Sequence, residues 1–176
     1  MRLISERGRR PQQNPGSGTR LRWQSYTGAA MAVAAAAAVG AAAVDADSAW
    51  SRGLATPRWQ QPPSWAFGAV WTPLYATIAW SAGRAWNRAS EQERTHLVAA
   101  VTVNLSLNAA RSWLFFAAHS PRAGLGTLLL DVSTLHLIRT TSRTDRRAAA
   151  ALLPYAAWCW FATALNARNA QHNPCP

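Results

Sequence analysis

The sequence predicts an all-α integral membrane protein, a bundle of five transmembrane helices, and three observations carry that prediction. The first is where charge is missing. Only 14% of the 176 residues are charged, and five segments are almost free of charge: Trp23–Val44, Trp59–Gly83, Thr95–Ala110, Ala123–Ile138 with Asp131 alone, and Ala148–Ala167. Each approaches the roughly 20 residues a helix needs to cross a bilayer core, where a helix satisfies its own backbone hydrogen bonds. The mean hydropathy of -0.11 is low for such a protein. Alanine accounts for it, since alanine scores weakly yet places no polar group in lipid.

The second observation is the placement of arginine, which supplies all 18 basic residues. With five spans, one side holds Arg2, Arg7, Arg9, Arg10, Arg20, Arg22, Arg84, Arg88, Arg94, Arg139, Arg143, Arg146 and Arg147. The other holds Arg52, Arg58, Arg122 and Arg168, and Arg111 falls on neither side. By the positive-inside rule this asymmetry places the N-terminus in the cytoplasm and the C-terminus outside, in a multi-pass cell-membrane protein. The net charge of +11 therefore needs no nucleic-acid partner, because the arginines sit between apolar runs and form no single stripe. The third observation is tryptophan: six of ten lie between Trp50 and Trp86. Tryptophan anchors helices at membrane interfaces and lines sites for flat ligands.

Taken in order, residues 1–22 are rich in Arg, Pro, Gln and Gly and read as a disordered basic tail. Residues 23–170 hold the five spans, and residues 171–176 form a short C-terminal tail. The first span is alanine-rich. A secretory signal ending at Val44-Asp-Ala46 is the rival reading, but an uncleaved helix suits the arginine asymmetry better, and its small side chains allow close packing. The second span starts after Pro62-Pro63, since proline is tolerated in a helix's first turn. Ser90 with Glu91 and Glu93 supplies the cap of the third. His119-Ser-Pro121 ends that span, a charged turn at Arg143–Arg147 precedes the fifth, and Pro154 predicts a mild kink within it. Short loops two, three and four predict that spans two to five pack as antiparallel neighbours. Small residues on spans one and three are compatible with a helix-packed homodimer.

Several side chains fall on shared helix faces. Phe67, Trp71 and Tyr75 recur every four residues on span two, and Trp158, Ala162 and Leu165 follow helical spacing on span five. Such stripes either fill a core or flank a cavity for a planar ligand, with Ala162 leaving room. Span three carries Asn104, Asn108, Arg111 and Phe115 on one face, which should turn inward because polar groups at membrane depth are costly. If span three ends near Ala117 and span four begins near Ala123, Arg111 and Asp131 lie roughly 9 and 12 Å deep on the same side at 1.5 Å per residue. An Arg111–Asp131 pair is the expectation, with a ligand carboxylate as the competing partner of Arg111. Cys159 and Cys175 have no metal or haem-attachment spacing and read as structural. The four histidines are scattered. No nucleophile–base pair, phosphate loop or metal site is visible, so neither an obligatory cofactor nor ordinary acid–base catalysis is expected.

The string Trp59-x-x-Pro62-Pro63-x-Trp65-x-Phe67-Gly68-x-Val70-Trp71-Thr72-x-Leu74-Tyr75 closely resembles the signature of the TspO/MBR family, the tryptophan-rich sensory proteins related to the mitochondrial translocator protein. Leu105-x-Leu107-Asn108 with Leu114-Phe115-Phe116 follows on span three, and Leu153-Pro154-Tyr155-x-x-Trp158-x-x-Phe161-Ala162-Thr163-x-Leu165-Asn166 on span five. The resemblance covers about residues 45–170. It implies a five-helix bundle, often dimeric, whose pocket takes tetrapyrroles such as protoporphyrin IX and haem or related lipophiles, and serves a receptor or sensor. It carries pocket positions onto Trp71, Asn108, Trp158, Ala162 and Leu165, with Trp50 and Trp59 in a capping first loop. The wider set of expected ligand contacts adds Trp65, Phe67, Tyr75, Asn104, Arg111 and Phe115. Some family members are reported to break down bound porphyrin in light and oxygen, which would give Trp71 and Trp158 a photo-oxidative role; tetrapyrrole transport is a further alternative. This chain departs from the pattern at Arg111, where the family usually has tryptophan. It also has Ala167 after Leu165-Asn166, where the mitochondrial sterol motif needs tyrosine.

Overall fold

Long uncharged segments can leave water only as helices, and helices are what form. A computed structural model of the chain describes residues 15–42, 64–114 and 124–172. Its elements are α1 (Pro15–Ala41), α2 (Ser64–Trp86), α3 (Glu91–Ser112), α4 (Gly124–Thr144), the short α5 (Arg146–Ala151) and α6 (Leu153–His172). The fifth span is thus α5 and α6 in series, interrupted at Leu152. Pro154 follows two residues later and has no N–H to donate back, so this interruption, across which Leu152 keeps helical backbone angles, is the expected mild kink.

Local signals set several ends. Ser90 caps α3 with a complete capping box: its side chain accepts from the Glu93 N–H, while Glu93 accepts from the Ser90 N–H at 2.8 Å. Asp145 caps α5, accepting from the N–H groups of Arg147 at 2.8 Å and Ala148 at 3.1 Å. At the start of the chain the helix takes in residues 15–22, which composition had assigned to the disordered tail. Arginine and leucine are good helix formers, and proline fits a first turn, so the basic flank extends α1. Residues 1–14 and the His119-Ser-Pro121 stop lie outside the described residues.

The helices close into a ring in the order α2, α1, α3, α4, α5–α6 and back to α2. This corrects the expectation that spans two and three pack side by side. Their short connection joins them at one end, but α1 packs against both and sits between them. Small residues permit it. A Cβ built on Gly83 would fall 2.5 Å from the Tyr26 ring, so Tyr26 occupies the space that glycine leaves. A Cβ on Gly40 would meet the Ala109 backbone at 3.7 Å, an ordinary contact, so this crossing does not demand glycine. Hydrogen bonds pin both ends of α1: Asn87 donates to the Arg22 carbonyl at 3.3 Å, and the Trp113 indole donates to the Val39 carbonyl at 3.0 Å.

The distribution of polarity is that of a membrane bundle. Leu128, Leu129, Val132 and Leu135 lie exposed along α4, as do Trp160 and Phe161 on α6. Meanwhile Ser81, Asn104, Asn108, Thr127 and Thr134 are buried among Ile78, Leu130, Leu137, Leu152 and Tyr155. Lipid accepts an apolar exterior that water would not, and polar side chains then find partners only inside. Asn104 shows this: its amide donates to Ser133 and Thr134 at 2.8 and 2.9 Å, and its oxygen accepts from the Tyr155 hydroxyl at 2.9 Å. One side chain thereby joins α3, α4 and α6. Among the described residues only the segment Arg146–Arg168 is long and apolar enough to mark a span by composition alone. The other spans are diluted by the inward-facing polar residues and by alanine, glycine and tryptophan.

One end of the ring gathers the arginines. Arg84 Nε lies 2.9 Å from an Asp145 carboxylate oxygen, and Arg88 pairs with the same carboxylate. Arg84 also stacks on Trp80 at 5.2 Å and Arg94 on Trp86 at 5.3 Å, an arrangement suited to a membrane interface. Burial by itself pushes the Asp145 carboxyl up. The N–H groups of Ala148 and Arg147, then the guanidiniums of Arg84 and Arg88, outweigh it and hold the carboxyl below the usual aspartate range.

Candidate functional site

At membrane depth α2 turns an aromatic face toward α6. Trp71 and Tyr75, one turn apart, have ring centroids separated by 5.3 Å. Trp158 of α6 meets Trp71 edge-on, with centroids 6.5 Å apart and planes at 89°. Trp158 in turn contacts Phe161 at 5.4 Å. An edge-to-face pair places the positive rim of one indole against the negative face of the other. Tyr75 is held from the third side by Asn108, whose amide donates to its hydroxyl oxygen at 3.2 Å.

Beside this cluster lies a narrow cleft, too tight in this structure to admit a water molecule. Trp71 and Arg111 form one wall, Thr127 and Leu130 of α4 another, and Cys159, Ala162 and Thr163 of α6 the third. The Arg111 guanidinium lies 5.7 Å from the centroid of the Trp71 ring, over its face. Cavities that enclose drug-sized ligands measure about 300–1,000 Å³, so a large planar guest would have to part these helices. The cleft offers a flat aromatic surface, a small residue at Ala162 and a single cation. Among the described residues no cluster of His, Cys, Asp or Glu forms a metal-binding set.

The two stripes read from helical spacing do converge: Trp71 and Ala162 line the cleft, and Tyr75 and Trp158 border it. Arg111 lines it as well. Asn108 buttresses Tyr75, and Asn104, with its amide fully engaged by Ser133, Thr134 and Tyr155, belongs to the bundle's internal bonding. Leu165 is half-buried outside the lining. Trp65 and Phe67 lie on α2, but their side chains are outside the described residues, as are Trp50, Trp59 and Phe115 altogether.

The expected Arg111–Asp131 pair does not form. Among the described residues the carboxylate pairs of arginine are those at Asp145. Asp131 instead accepts from the Thr163 hydroxyl at 2.7 Å. The depth argument compared distances along the helices and left out the local partner that Asp131 finds in Thr163.

Spacing also missed Thr127, Leu130, Cys159 and Thr163. A signal was available on α4: Thr127, Asp131 and Thr134 recur at helical intervals and are all buried. Such a polar stripe within an apolar run marks an inward face.

The model of the TspO/MBR family matches residues 28–171. Tryptophan-rich protein TspO of Archaeoglobus fulgidus is 35% identical over 118 residues, covering 66% of this chain and 75% of its own. The uncharacterized membrane protein YtaB of Bacillus subtilis is 31% identical over 121 residues, 68% of this chain and 77% of its own. The translocator protein of Sus scrofa is 31% identical over 124 residues, 66% and 70% of the two chains. With most of its length matched and the five spans in place, this chain belongs to the TspO/MBR family.

Proposed function

We propose that the protein is a membrane receptor of the sensor type that binds tetrapyrroles, protoporphyrin IX and haem among them, against the Trp71–Trp158 pair. The observation that carries this reading is the convergence of the two aromatic stripes beside a cleft with a small residue at Ala162. A flat apolar guest gains area and stacking there, and the indoles report its arrival. Detergent-purified protein titrated with protoporphyrin IX in the dark should show saturable tryptophan quenching that weakens when Trp71 and Trp158 are both changed to phenylalanine. Quenching that never saturates would count against the reading.

The edge-on indole pair favours a second reading, light- and oxygen-dependent breakdown of the bound porphyrin. Loss of porphyrin absorbance under illumination that slows in the Trp71→Phe/Trp158→Phe double variant would support it; unchanged loss would exclude a role for these indoles. For topology, we place the arginine-rich end of the ring in the cytoplasm, following the positive-inside rule. In intact cells of a Cys175→Ser background, a membrane-impermeant thiol reagent should fail to label a Ser142→Cys variant, and labelling would invert the assignment. Association as a homodimer is part of the same proposal and is read directly from the mass of the detergent-solubilised particle.

A further inference from the structure

We propose that Arg111 is a receptor for an ionised carboxylate, so that the ligands taken by this cleft are flat apolar bodies bearing an acid group. The proposal rests on the tetrapyrrole site and narrows it.

A guanidinium within a membrane bundle is costly unless something offsets its charge and engages its five N–H donors. At the other end of the ring the charge is offset: Arg84 and Arg88 share the Asp145 carboxylate, although Arg84 Nε, 2.9 Å from it, is not aligned for a hydrogen bond. At Arg111 it is not. Its Nε is buried without a hydrogen-bond partner. No described carboxylate reaches ion-pair distance, and the contact that it does make, over the face of Trp71 at 5.7 Å, uses none of its N–H donors. Asp131 is already engaged by Thr163, and its other oxygen, Oδ1, is also buried without a partner. The charges thus stay apart, and Arg111 lines the cleft with its Nε unbonded.

Two blander roles fit less well. A snorkelling arginine stretches its head to water along an apolar stem, whereas the Nε of Arg111 is enclosed and its guanidinium lies over Trp71 inside the bundle. Complementing the C-terminal end of α3 offsets some charge but leaves Nε unbonded. A carboxylate supplies both the charge and the in-plane acceptors that a guanidinium fork matches. Trp71, Leu130 and Ala162 would then hold the apolar body next to it.

The test compares protoporphyrin IX, a diacid, with its dimethyl ester on the detergent-solubilised full chain in the dark. The wild type should bind the diacid more tightly, and Arg111→Gln should lower the diacid-to-diester preference by about tenfold or more, the scale of a hydrogen bond to a charged group. Arg111→Lys, which keeps the charge, should retain part of the preference. Equal affinity of the wild type for diacid and diester overturns the carboxylate inference and leaves the tetrapyrrole reading standing. So does an Arg111→Gln variant that weakens both forms alike, which would assign Arg111 to packing. Binding of neither form by the wild type overturns both proposals.

Discussion

The two ends of the ring handle arginine in opposite ways. Around Asp145 one carboxylate caps α5 and pairs with Arg84 and Arg88, so opposite charges close upon themselves. Around Arg111 an arginine enters the bundle with an aromatic face beneath it and no acceptor. The first arrangement contributes to the stability of the empty protein. The second contributes little until another molecule supplies what is missing. Identical side chains therefore do different work according to whether their neighbours complete them.

The largest effect on this comparison should come from breaking the closed end. Asp145→Ala removes a helix cap and two partly exposed ion pairs, and should lower stability by about 2 kcal/mol, allowing for solvent screening of the arginines. Thermal unfolding in detergent measures it, and Asp145→Asn, which can still cap, should fall between. A loss below that of an ordinary surface change would mean that the pairs are ornamental.

Acid should act on the same end. The folded-state Asp145 carboxyl lies below its ordinary value, so its contribution is complete above the unfolded-state value, about 3.9. That contribution is lost as pH falls from there through the lower folded-state value. The melting temperature should accordingly drop more steeply below about pH 4 in the wild type than in Asp145→Ala.

A smaller effect is expected next to the cleft. Tyr75→Phe deletes the bond from Asn108 and should cost about 0.6 kcal/mol, the average for side-chain bonds inside membrane bundles. Smallest of all, Arg111→Gln should change the unfolding of ligand-free protein by less than about 0.5 kcal/mol, because it severs no hydrogen bond or ion pair. A large destabilisation there would erase the contrast between the two ends.

The sequence made the spans legible because charge is excluded from lipid, and it made the cap at Ser90 legible because capping is local. It also showed that Trp71 and Tyr75 share one face of their helix, and Trp158 and Ala162 one face of theirs, since helical periodicity fixes which side chains share a face. What it hid were relations between helices. The short turn after Trp86 suggested that α2 and α3 are neighbours, yet helix order in a ring depends on which surfaces fit. Tyr26 filling the space at Gly83 cannot be read from an alanine run. The Arg111–Asp131 pair was misjudged because depth along a helix does not show that Thr163 bonds Asp131. Asn104 looked like a ligand contact because its type and face were visible but its partners, Ser133, Thr134 and Tyr155, were not.

The order of helices around the ring also bears on how the protein is made. Of these five spans the first two to be made are adjacent and can pair at once through Tyr26 and Gly83, and the third can dock on the exposed side of α1. The cleft must wait, because one wall comes from α2 and the facing one from α6, the last of these five spans. Until α6 swings in against α2, the bundle is an open arc with Trp71 facing lipid. A nascent chain stalled before the fifth span would be anchored and largely packed, yet blind to its ligand.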